Sequence, residues 1–337
     1  MVDTAALAAA VEDAAGPAAR RHAGLVVGVG TGRDDVRYVT GHGALPDAAP
    51  EQVLVEIGSI TKVFTASLLM LLAGRGLVGV DEPVQDLLPD GVRLPVKGRP
   101  VTLLDLATHR SGLPRLPLRW LWRFRGHGDD PYAVLSLDDV WTAAATCRRR
   151  SPGAVRYSNL GAGLLGHALE HRTGRSYADL VGTELCAPLG LADTTVGGRA
   201  RDAARTAPGH DAKGRTVPAW HLPVLAAAGG LHSTAADLLT FLRAQEDDTD
   251  DDVHRALRAT HEPVSTRLAM QVCAGWMSVL RRAGSDERVL WHNGGTGGYR
   301  SWAAFVPGRD VRVVVLATDA RPADRLGQDL VAALAPV

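Results

Sequence analysis

Strand-forming segments stand at both ends of this 337-residue chain, with a long stretch of helical and loop texture between them. Near the N-terminus, AGLVVGVGTG and DVRYVTGHGAL, with RDD between, predict an antiparallel hairpin. QVLVEIGS follows as a third strand and feeds an apolar helix from about Ser59 to Leu72. At the other end LAMQVCAGWMSVLRR, ERVLWHNGG, GYRSWAAFVPG and DVRVVVLATDA read as an antiparallel meander, and RPADRLGQDLVAALAPV closes as a helix. Strands split in this way bury their faces when the two ends join in one sheet. The expected fold class is therefore α/β of the α+β type, an antiparallel sheet from both chain ends flanked by N- and C-terminal helices. Residues 1–80 and 260–337 would form the sheet domain and 81–259 an inserted, mainly helical domain.

In the middle region, TLLDLATH, LSLDDVWTAAA, NLGAGLLGHALEHRTG and SYADLVGTELCAPLG are helical patterns between Pro- and Gly-bearing loops. Thr234 is expected to cap the helix of TAADLLTFLRA, with Asp237 as the reciprocal partner of a capping box. EDDTDDDV, from Glu246, reads as a solvated loop, since it lacks the glycine and terminal glutamate of a calcium-binding loop.

Lys plus Arg equals Asp plus Glu at 37 each, so no net field recruits nucleic acid or an anionic membrane, and neither is expected as a partner. Cys147, Cys186 and Cys273 show no paired spacing, which argues against a zinc site or a disulfide framework. The N-terminal segment carries Asp3, Glu12 and Asp13 and reads as an amphipathic helix rather than an export signal, so a cytoplasmic location is expected.

Lysine is scarce, which makes its context informative. Twelve serines and three lysines predict about 0.1 Ser-x-x-Lys matches by chance, yet Ser59 and Lys62 form one at the start of the buried helix. There unpaired N–H groups favour developing negative charge at Ser59. Burial disfavours a charged lysine, so Lys62 is suited to take the serine proton; the competing reading is a capping serine beside an outward-reaching lysine. Two further segments are weaker alone. In SPGAVRYSNLGAG, Tyr157 and Asn159 sit where a loop enters a helix, and Ser158 or Asn159 also suits an N-cap. In WHNGGTGGYRSW, His292 precedes a glycine cluster in which Gly295 suits an oxyanion-binding N–H, and a plain glycine-rich hairpin is the alternative.

Taken in order, Ser59-Ile60-Thr61-Lys62, Tyr157-Ser158-Asn159 and His292-Asn293-Gly294 resemble the S-x-x-K, Y-x-N and K/H-x-G triplet of the serine β-lactamase and penicillin-binding-protein superfamily, in its branch of class C β-lactamases, D-Ala-D-Ala carboxypeptidases and esterases. LATHRSGLP and AAGGLHSTAADLLTF are also similar to its segments. The resemblance implies a β-lactamase/transpeptidase-like fold with the active site where the two domains meet. It implies that Ser59 is acylated, that Lys62 is its proton partner and that Tyr157 activates Ser59 and shuttles a proton. Asn159, His292, Gly294 and Gly295 would then bind substrate, with the oxyanion held by the N–H groups of Ser59 and Gly295. His292 stands where many members carry lysine, and Arg300 is the candidate to supply the missing charge. His109 is expected to be a buried framework residue.

LPRLPLRWLWRFRGHGDDPY interleaves Arg115, Arg119, Arg123 and Arg125 with Trp120, Trp122 and Phe124. It suggests a lid, with Trp120 against substrate, that selects an aromatic or acyl group or docks an acidic partner such as a carrier protein; alternatively the aromatics cover the core and the arginines face water. The expectation is a serine hydrolase working through an acyl-enzyme on Ser59, without metal or organic cofactor, most simply an esterase or amidase on a small-molecule ester, amide or lactam. The alternatives are a β-lactamase or D-Ala-D-Ala carboxypeptidase, an acyltransferase of secondary metabolism, and a non-catalytic ligand sensor.

Overall fold

The computed structural model describes residues 4–32, 36–198, 200–267, 270–282 and 285–336. Its main sheet has eight antiparallel strands in the spatial order Val36–Gly43, Gly24–Thr31, Val311–Ala317, Arg300–Val306, Arg288–Gly295, Met277–Leu280, Met270–Val272 and Ser265–Arg267. Both ends of the chain meet at its centre, where Leu25 pairs with Ala317 and Thr31 with Val311. The hairpin turn at Arg33–Asp35, and Leu268–Ala269 of the meander, lie outside the described residues.

Gly24–Thr31 and Val311–Ala317 are apolar nearly throughout because both sheet faces are covered. Leu25, Val27, Val29, Val313 and Val315 pack with residues of the terminal helices Thr4–Ala19 and Asp324–Leu334. Val26, Val314 and Leu316 face the opposite core, which contains Phe64 of the helix Thr61–Gly74 stacked 4.0 Å from Phe241. Each such buried aliphatic contributes about 1.5–3 kcal/mol.

Three local expectations change. QVLVEIGS contributes only Val55–Glu56 as strand, and it pairs with Leu231–Ser233 in a small separate sheet. Its continuous burial comes from packing in the core, not from membership of the main sheet. Thr234 does cap Ala235–Ala244, but the Asp237 carboxylate accepts from Asp193 N–H at 2.9 Å and the Thr194 hydroxyl at 2.8 Å, which ties the helix to a neighbouring loop. Glu246, at the head of the acidic run, is largely buried, 3.6 Å from Arg312. No described helix is long and apolar enough to cross a membrane.

Candidate active site

Ser59 lies in a single 3₁₀ turn, Gly58–Ile60, immediately before the helix Thr61–Gly74. Gly58 has φ +49°, and a Cβ there would lie 2.6 Å from the Gly295 nitrogen. A side chain at Gly294 would collide with the Ile57 carbonyl. The glycines therefore let the serine turn and the strand Arg288–Gly295 abut, and the Ser301 hydroxyl donates to the Ile57 carbonyl at 2.8 Å to hold them together.

Lys62 Nζ stands 2.9 Å from Ser59 Oγ and donates to the Ala228 carbonyl at 2.5 Å. Its side chain is enclosed, and burial pulls its pKa below the ordinary 10.5, with Tyr157 partly opposing. A lysine that loses its charge is a base rather than an anchor cation. The Tyr157 ring centroid lies 4.9 Å from Lys62 Nζ, and the ring leans on His109 at 4.3 Å between centroids. Tyr157 is placed by the next residue: Ser158 caps Asn159–Thr173, accepting from Gly161 N–H at 2.8 Å and donating to the Pro114 carbonyl at 2.7 Å.

His109 is buried, accepts from Ser158 N–H through Nδ1, and is held well below its ordinary pKa by burial, with Lys62 and His292 adding to the effect. His292 is also buried, with its pKa pushed down to about 3 by desolvation and by Lys62. Its Nδ1 lies 2.6 Å from the Asn293 carbonyl, which only accepts, so Nδ1 carries the proton and Nε2 remains an acceptor. The histidine in the lysine slot is therefore neutral across the physiological range.

Ser59 opens onto two connected spaces. An enclosed recess of about 90 Å³ is lined by Tyr132, Asn159, Trp220, Leu222, Leu225 and Thr296, together with Arg115. An outer space of about 500 Å³ is lined by Tyr157, Asn293, Gly294, Gly295, Arg300 and Asp324, again with Arg115. Asn159 presents a buried Oδ1 with no hydrogen-bond partner. Arg300 is half-buried and donates to the carbonyls of Thr296 and Tyr299, at 2.7 Å each. Of the candidate residues, Ser59, Lys62, Tyr157, Asn159, His292, Gly294, Gly295 and Arg300 are thus brought together.

Trp120 is not among them. It is fully buried in the core, because in the short helix Leu118–Arg123 position 120 faces inward while Leu118, Leu121 and Trp122 face out. Its expected contact with substrate is corrected accordingly. The outward aromatic is Trp122, 67% exposed, with the Arg125 guanidinium 3.8 Å from its ring centroid.

Sequence reasoning missed Glu56, Tyr132, Trp220 and Thr296. Glu56 is buried beside Trp220, whose N–H donates to Oε1 at 2.8 Å, while Oε2 has no partner. Desolvation raises its pKa to about 7, against smaller opposing effects of Thr296 and Trp220. Only its place in VEIGS, an acid among apolar residues three positions before Ser59, could have drawn attention to it.

The Beta-lactamase family profile matches residues 8–336. The chain belongs to the beta-lactamase family. It is therefore a serine hydrolase of the acyl-enzyme type. Among relatives of this beta-lactamase-family chain is the D-alanyl-D-alanine-carboxypeptidase/endopeptidase AmpH of Escherichia coli K12, 26% identical over 282 residues, covering 79% of this chain and 71% of the relative. A Beta-lactamase of Pseudomonas fluorescens is 26% identical over 304 residues, covering 81% of each. A class C beta lactamase structure from Rhodobacter sphaeroides superposes with a TM-score of 0.82 at 27% identity, over 96% of this chain and 99% of that one. The D-alanine Carboxypeptidase AmpC structure from Burkholderia cenocepacia has a TM-score of 0.82 at 22% identity, over 98% of this chain and all of that one, and shares the fold.

Proposed function

We propose that this chain hydrolyses a small carboxylic ester or amide, with Ser59 as nucleophile and Lys62 as its base. The observation that carries the reading is the enclosed Lys62 amine, its pKa lowered, 2.9 Å from Ser59 Oγ. Oγ attacks the substrate carbonyl as its proton passes to Lys62, and the N–H groups of Ser59 and Gly295 hold the oxyanion. Tyr157, against Lys62, relays the proton to the leaving group; water then attacks the acyl-enzyme and Oγ recovers its proton. Asn159 orients the acyl side through its unpartnered amide oxygen.

Neutral His292 is why ester or amide action is placed ahead of β-lactam or D-alanyl peptide cleavage, because the lysine slot offers no fixed cation for a carboxylate. 4-Nitrophenyl butyrate and benzylpenicillin are turned over side by side, with intact mass read on the quenched enzyme. The expected result is ester turnover with a butyryl adduct that Ser59→Ala abolishes. A larger kcat/KM for the penicillin than for the ester would reverse the preference, and no adduct from either would remove Ser59 as nucleophile.

A further inference from the structure

Many arginines of this chain end on a carboxylate, among them Arg75, Arg99, Arg205 and Arg281. Those along one groove do not. A groove of about 950 Å³ runs between the Pro114–Arg119 loop and the segment Thr146–Arg150, and Lys97, Arg115, Arg119, Arg148, Arg150 and Arg156 line it. Among the described residues no acidic side chain lines it, and none of these six cations has an ion pair. Arg149 forms its floor, buried, and spends its guanidinium on the carbonyls of Pro95 at 2.9 Å and Lys97 at 3.0 Å. The chain as a whole carries no net charge, so this concentration is local. Asp139, paired with Arg123, lies within the field of Arg119, but six cations along a groove with no acidic lining still attract an anion from solution.

The groove is joined to the catalytic cleft by Arg115, which lines the groove, the enclosed recess and the outer space alike. Its guanidinium lies 5.5 Å from the Tyr157 ring centroid. Deeper in the cleft, Lys62 is committed to Ser59 and the Ala228 carbonyl and His292 is neutral, so the cations open to a substrate anion are those of the rim.

We propose that Arg115 and the groove behind it form an anion subsite, which receives a carboxylate carried by the substrate at a distance from the scissile bond. This rests on the acyl-enzyme reading and extends it to the class of substrate: an ester or amide with a remote carboxylate. Arg115 is the specificity-determining residue, reached first from Ser59, and Arg119 and Arg148 extend the field to longer chains.

The test compares 4-nitrophenyl esters of dicarboxylic half-acids of graded length with methyl-ended esters of equal length. A second arm compares 4-carboxyphenyl butyrate with phenyl butyrate, which reports a carboxylate on the leaving group instead. In the wild type the charged member of at least one pair is expected to have a kcat/KM about tenfold or more above its neutral counterpart, as befits a charge-assisted contact. Arg115→Gln brings that ratio towards one, Arg115→Lys restores part of it, and Arg119→Glu with Arg148→Glu lowers it most for the longest acids. Rising salt erodes it. Substitution leaves the main-chain role of residue 115 intact, since its carbonyl receives the N–H groups of Asn159 and Leu160 at 3.1 and 3.4 Å.

Ratios of one or less at every length in both arms, or ratios indifferent to all three sites, overturn the subsite. Calorimetric titration of Ser59→Ala with suberate, repeated after adding Arg115→Gln, separates the two readings. If no ester acylates Ser59, the acyl-enzyme reading falls, while suberate binding that needs Arg115 still upholds the subsite and its absence removes it.

Discussion

Replacing Glu56 by glutamine is expected to stabilise the protein by an amount that grows as pH rises from about 4.5 to 7 and then levels off. The carboxyl is buried beside the Trp220 main chain, and desolvation raises its pKa from 4.5 to about 7. The folded state thus holds this proton more tightly than the unfolded chain. That contribution is fully present below pH 4.5 and is lost as pH rises towards 7. Raising the pKa from 4.5 to about 7 costs about 3 kcal/mol of stability above pH 8. Glutamine keeps the oxygen that accepts the Trp220 N–H and carries no charge to desolvate. The two proteins should match at pH 4, differ by about 1 kcal/mol at pH 5 and diverge to about 3 kcal/mol at pH 8.5, or about 4 °C in Tm for a chain of this length. Urea unfolding followed by tryptophan fluorescence at these pH values measures it, read as the difference between the variants so that the shifted groups Glu246, His232 and His261 cancel. A difference that stays flat with pH, or a glutamine variant less stable at pH 8.5, would refute a carboxyl held protonated by burial.

Lys62→Met should lower kcat for 4-nitrophenyl butyrate by about 10²–10⁴-fold, the usual worth of a positioned base, without loss of stability. Because burial lowers the Lys62 pKa, the unfolded chain binds that proton more tightly, so wild-type stability relative to Lys62→Met should rise with pH up to the ordinary 10.5. Gly58→Ala should cost about 10²-fold in kcat with a smaller change in KM, since φ +49° and the 2.6 Å approach to the Gly295 nitrogen force apart the two N–H groups assigned to the oxyanion. His292→Lys should raise the benzylpenicillin-to-ester ratio of kcat/KM by about tenfold if a cation in that slot recognises a carboxylate; steady-state kinetics on the two substrates decides it.

What was legible in the sequence was the part of the site carried by local spacing. Ser59 and Lys62 are neighbours because one turn separates them, and Tyr157 is aimed by the cap that Ser158 makes. The joining of both chain ends in one sheet was legible too, because strands at residues 24–31 and 311–317 are apolar on both faces. Illegible were contacts made by main-chain atoms or by residues with no pattern of their own. The Ala228 carbonyl on Lys62 and the Trp220 wall against Glu56 belong to segments more than 150 residues away. Trp120 failed for a different reason: a helix of six residues is too short for periodicity to say which of its two tryptophans points inward.

The electrostatics of the cleft follow from this geometry. Its interior holds three bases, Lys62, His109 and His292; burial lowers the pKa of all three, and Lys62 lowers that of both histidines further. Two histidines that stay neutral cannot compete with Lys62 for the serine proton, nor oppose it as cations. In the proposed mechanism they also raise no barrier to the positive charge that Lys62 would acquire as Ser59 attacks. Stabilising that charge falls to the Ala228 carbonyl and the Tyr157 ring, both already in place in the resting site. Fixed positive charge is displaced to Arg115 and Arg300 on the rim, and the Arg115 charge adds to burial in lowering the pKa of Lys62. A site so arranged divides proton transfer, assigned to Lys62, from the recognition of a charged substrate at the rim, with Arg115 linking the two because its charge also lowers the pKa of Lys62.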